Sequence, residues 1–258
     1  MEEKQTTEIA ESEGREVLGV YSHSPRYQYQ FNERGSRYRH GTYWFVIRLD
    51  EERFSVQPLN SSHLPSGVTK TVGKEEFLQY YTPELDYFHN QTVPALESLR
   101  EKIFQGRRFF DMGRLDQAEK QFCAAVLMDE RSIDANVGLT QVYHNQQRYS
   151  ELRDVLERLY GIDELFREEQ RHSFNEFGIN LRKQGLFDDA VRFYRKALEV
   201  NADDDHLHFN IARAYYERGK LQECTSHLYE SLRLNPGLRE AANFLDHIEE
   251  EAEREAGS

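Results

Sequence analysis

Over the second half of the chain, apolar residues recur at helical spacing, stop at a glycine or polar turn, and recur in a second amphipathic run. The pattern then repeats as a block. Phe174, Phe177, Gly178, Leu181, Gly185, Phe187, Ala190, Tyr194 and Ala197 reappear 34 residues on as His208, Ile211, Ala212, Tyr215, Gly219, Leu221, Cys224, Leu228 and Ser231. Upstream, Gly106, Phe109, Leu115, Ala118, Phe122 and Ala125 are followed at the same interval by Thr140, Tyr143, Tyr149, Leu152, Leu156 and Leu159. Between the second and third blocks the spacing is 38, which places about four extra residues within 161–170. The expected repeats are 99–132, 133–166, 171–204 and 205–238. Small residues such as Gly106, Gly178, Ala118 and Ala190 let two helices approach closely, and Gly113, Gly185 and Gly219 suit the turns. One such hairpin cannot bury its own apolar face, so neighbours must stack. Residues 239–258 continue as a capping helix with an acidic tail: Ala241, Phe244, Leu245 and Ile248 pack inward and the other face meets water.

The front of the chain follows a different rule. Residues 27–31 alternate apolar and polar, and 43–49 are aromatic and β-branched; both predict strands. Further strands are predicted at 17–21, 53–56 and 68–72, a loop at 60–67 around Pro65, a short helix at 74–81, and a long helix from 83 with Pro94 near its start or bending it. The expectation is a small antiparallel sheet of four or five strands over 15–82, docked on the first repeat through a linking helix at 83–98. Residues 1–14 are acidic and polar and read as a disordered tail.

The repeat block resembles the tetratricopeptide-repeat family over about 99–238, with the Gly or Ala, Tyr, Ala and Phe places of that signature recurring in register. The leading tryptophan place holds Lys102, Asn136, Phe174 and His208, and the turn place of the second repeat holds Gln147. The resemblance implies a mainly α fold, an α-α superhelix (solenoid) whose first helices line a concave groove that receives a peptide. Carried over by place, the groove residues are Arg100, Arg107 and Phe110; Gln141, His144 and Asn145; His172, Asn175, Ile179, Arg182 and Lys183; and His206, Phe209, Asn210, Arg213 and Tyr216. Some members of the family clamp a C-terminal carboxylate with a Lys and Asn set; here those places hold Ile103, Arg107 and Gly138, so that clamp is not reproduced. The implied function is a non-enzymatic adaptor or scaffold. Its arginines and amides suit a protein or peptide segment carrying acidic and aromatic side chains.

Charge sharpens that picture. The 258 residues carry a net −13, yet residues 15–74 hold nine bases and five acids. An acidic chain argues against generic nucleic-acid binding, whose affinity comes largely from phosphate neutralisation. No apolar run is long enough for a bilayer. Cys123 and Cys224 lie in helical patterns far apart, which suits a reducing cytoplasm and indicates neither a disulfide framework nor a zinc site. No phosphate loop, dinucleotide fingerprint or metalloprotease pair occurs, so neither catalysis nor a cofactor or metal is expected. A second surface is offered by Arg26, Tyr29, Arg34, Arg37 and Arg39, where aromatics lie between arginines. The alternative reading is a ligand- or nucleotide-sensing regulator acting through that front module, since such a stretch can stack bases and pair phosphates.

Overall fold

The computed structural model describes residues 16–23, 42–166 and 171–256, and the chain divides into two compact units, residues 1–142 and 143–258. The acidic stretch 1–14 and the strand expected at 27–31 lie outside the described residues.

Among the described residues, the first unit opens with five strands: β1 (Glu16–His23), β2 (Tyr43–Arg48), β3 (Arg53–Pro58), β4 (Lys70–Gly73) and β5 (Tyr81–Pro83). They form one sheet of order β4-β3-β2-β1-β5, with antiparallel neighbours throughout. Alternate residues of β2 serve two cores. Val46 packs with Phe54, Val56, Val72 and Phe77 on one face, and Phe45 packs with Val20 and Phe88 on the other. The near-continuous apolar run of β2 is thereby explained, because both faces of the sheet are covered. The first face is closed by α1 (Lys74–Tyr80), whose Phe77 ring stacks on Phe54 at 4.1 Å. The second is closed by Phe88, Val93 and Leu96, at the start of the long helix. Strand β1 bulges between Val17 and Gly19, and Gly19 (φ +102°) lies under the Phe88 ring, a conformation that favours glycine.

The sheet joins the helical part through a helical turn (Leu85–Tyr87), a π-turn (Phe88–Thr92) and α2 (Val93–Asp111), which has Pro94 in its first turn. Pro94 has no N–H to donate, so the start of the helix is where it costs least. Helix α3 (Leu115–Met128) folds back on α2, and α4 (Ile133–Asn145) follows. The Phe122 ring of α3 is buried where a Cβ at either Gly106 of α2 or Gly138 of α4 would collide with it. The loop after β3 fixes the sheet to this hairpin. The Asn60 carboxamide oxygen accepts from Ser62 N (2.8 Å) and Leu64 N (3.1 Å), while its nitrogen donates to the Met128 carbonyl (2.9 Å), one of the unpaired carbonyls at the end of α3.

The second unit contains α5 (Tyr149–Tyr160), a 3₁₀ turn (Asp163–Phe166), α6 (Arg171–Lys183), α7 (Phe187–Val200), α8 (Asp205–Glu217), α9 (Leu221–Leu234) and α10 (Arg239–Ala256). The extra length expected within 161–170 coincides in part with the 3₁₀ turn, which places Phe166 against Phe193 (4.9 Å). Phe174, Phe177 and Leu181 of α6 and Phe193, Tyr194 and Ala197 of α7 are all buried; Phe177 meets Phe193 edge-on at 4.9 Å, and Tyr194 fits against Gly178, where a Cβ would collide with its ring. Ala241, Leu245 and Ile248 of α10 are buried, while Asp246, Glu249 and Glu250 are exposed. Among the described residues, no helix is long and apolar enough to cross a membrane.

Candidate functional site

The first helices of successive hairpins present residues spaced by one repeat plus one position. In the second unit this interval of 35 makes a ladder: Asn210 donates to Asn175 (3.4 Å), Arg182 pairs with Glu217, and the Tyr216 hydroxyl donates to Glu251 (3.0 Å). Phe209 follows the same rule, meeting Phe244 edge-on at 6.3 Å. Helices α6, α8 and α10 thus contribute to one wall.

The arginines of this wall differ. Arg182 is 7% exposed and committed to Glu217. It is a structural cross-link between α6 and α8, not a side chain free to swing to a visitor. Arg213 is half-buried, lies over the Phe209 ring (5.8 Å to the centroid) and, among the described residues, pairs with no carboxylate. Burial, and then the neighbouring Arg182 charge, hold its pKa below the usual arginine value, with Glu217 opposing. Beside it Tyr216 meets Phe244 edge-on at 5.1 Å, leaving two half-buried aromatic rings next to an under-neutralised cation. Below them the Tyr194 hydroxyl is buried without a hydrogen-bond partner; burial raises its pKa, and Arg182 and Arg213 act against that.

The remaining expected residues are placed as follows. In the second unit Ile179 is half-buried, Asn145, Lys183 and His206 are exposed, and His144 Nε2 donates to the Gln184 carbonyl at 3.0 Å. The side chain of His172 lies outside the described residues. In the first unit Arg100 and Arg107 are exposed, Arg107 pairs with Asp134, and Phe110 and Gln141 are half-buried. Phe104, one turn from both Arg100 and Arg107, is 57% exposed. The surface expected at Arg26, Tyr29, Arg34, Arg37 and Arg39 lies outside the described residues. Two wall residues escaped the sequence reading, Phe244 and Glu251, because α10 was read only as a cap. The signal was present, since each stands 35 positions after a wall residue of α8.

Family models for the tetratricopeptide repeat match residues 105–164 and 181–248. Among curated proteins, the chain is 25% identical over 178 residues to the anaphase-promoting complex subunit CDC16 of Saccharomyces cerevisiae, covering 67% of this chain and 20% of that one. It is 24% identical over 141 residues to the human protein O-mannosyl-transferase TMTC1, covering 54% and 16% respectively. The chain therefore spans a fifth or less of those relatives' lengths. Among solved structures, pilF of Pseudomonas aeruginosa superposes with a TM-score of 0.43 at 18% identity, over 61% of this chain and 70% of that one.

Proposed function

The chain is a tetratricopeptide-repeat protein, and from that premise we propose that it is a non-catalytic adaptor holding a partner polypeptide against the wall of α6, α8 and α10. The segment it takes carries an acidic residue next to an aromatic one. The observation behind this reading is Arg213: a half-buried guanidinium over Phe209 that pairs with no carboxylate among the described residues. A carboxylate brought by a partner would relieve the burial penalty and accept a charge-assisted hydrogen bond. Tyr216 and Phe244 offer the adjacent aromatic contact. Asn175 and Asn210 supply amides able to donate to and accept from a peptide backbone.

A displayed library of random peptides selected on the full chain tests the reading. The expected enrichment is Asp or Glu within two positions of Phe, Tyr or Trp, lost on Arg213→Ala while the helical circular dichroism is kept. Enrichment of basic peptides, or unchanged enrichment on Arg213→Ala, would exclude it. Arg182 is unsuitable for the same test, because reversing its charge places two acids together at a buried position and destabilises α6 against α8.

A further inference from the structure

A second feature of the same unit faces away from that wall. Tyr215 and Arg213 are two positions apart on α8, about 200° around the helix, and Tyr215 borders a cleft of about 730 Å³ lined by α5, α7 and the turn after α8. Among the described residues, five bases and three acids line it, a local +2 on a chain of −13. We infer that this cleft is a second binding site, for an extended acidic segment of a partner polypeptide.

Three of these cations lie over tyrosine rings of the cleft. Arg192 lies over Tyr160 at 4.0 Å, and Arg195 and Lys220 lie over Tyr215 at 5.9 and 5.8 Å. Arg195 donates to the Tyr215 hydroxyl at 2.8 Å and, among the described residues, pairs with no carboxylate. Such seating lowers the entropy lost when a ligand arrives. The resident counter-ions sit at the rim: Glu157 on Arg192 and Asp188 on Arg218 are 53% and 66% exposed. Single exposed pairs such as Asp188 on Arg218 are worth about 0–1 kcal/mol, so an incoming carboxylate can take that place, while Glu157 grips Arg192 through two hydrogen bonds. Arg192 and Arg195 lie one turn apart on α7, with their guanidinium groups over rings of two different helices, Tyr160 of α5 and Tyr215 of α8. An extended segment with several acids, laid across α7, would meet both cations in turn.

The probe is a fluorescein-labelled peptide of alternating Glu and Ser, titrated into the full chain and followed by anisotropy. The expected result is saturable binding, weakened at least tenfold by the double substitution Arg195→Ala, Lys196→Ala and unaffected by Arg213→Ala. Both substituted residues are outside the core, and circular dichroism checks that the variant folds. Equal affinity in the double variant, loss on Arg213→Ala instead, equal binding of a Lys-Ser peptide, or tighter binding of a labelled oligonucleotide would each overturn it. Because the wall and the cleft are read by different variants, failure here leaves the function proposed above standing, and the reverse.

Discussion

At the turns between paired helices, single backbone angles carry measurable energy. Gly113, Gly185 and Gly219 have φ between +70° and +77°, and Gln147 is held at +57° in the same place of the second repeat. A side chain in that region costs about 1 kcal/mol, so Gln147→Gly should raise stability by up to about 1 kcal/mol in urea titrations, and Gly185→Ala should lower it by about as much. A second residue-scale effect concerns His227. Its Nδ1 lies 3.1 Å from that of His208, and its ring faces Tyr215. Burial, then the His208 and Arg195 charges, push its pKa down to about 4, with Glu230 opposing; burial also lowers that of His208. Both bind protons less readily folded than unfolded, so their contribution is intact above pH 6.5 and fades as pH falls towards 4. His227→Gln should flatten the fall in thermal midpoint over that range; an unchanged slope would assign the acid sensitivity elsewhere. The sequence exposed the turn position through Gln147 standing where glycine recurs. It could not expose the histidine pair, since 19 positions separate the two rings and only the α8–α9 hairpin brings them together.

At the scale of elements, helical periodicity was legible wherever one face of the helix is buried. It misled at the junction. The helix expected from 83 begins as a helix proper at Val93, after a strand, a helical turn and a π-turn. Strand β5 was missed because Tyr81–Pro83 is too short to show alternation and is specified by pairing with β1. The wall was half legible: its rungs follow the repeat interval, but burial decides which arginine is a cross-link and which faces a ligand, and no spacing contains that. The α7 cations of the second cleft carry no signal in the sequence, because only the fold brings Tyr160 of α5 and Tyr215 of α8 beside them. The loop holding sheet to hairpin makes a sharper prediction. Asn60→Ala removes two turn bonds and leaves the Met128 carbonyl unpaired, which should cost about 1–3 kcal/mol. Hydrogen exchange should show the loss first in residues 59–66 and at the end of α3.

For the molecule as a whole, two compact units mean that damage should stay local. Leu245→Ala, at an 8% exposed position of the last helix, should cost about 2–5 kcal/mol. The lost exchange protection should concentrate in 205–256, with β2 and β3 retaining theirs; equal loss in the strands would show one cooperative body instead. The first unit holds its own control point in Phe122, whose ring touches the space that glycines leave on two other helices. Three rods therefore take their separation from one benzyl group. Exchanging it for a slimmer side chain would open a hollow that both flanking rods border and only partly close, so one codon governs how firmly all three are gripped.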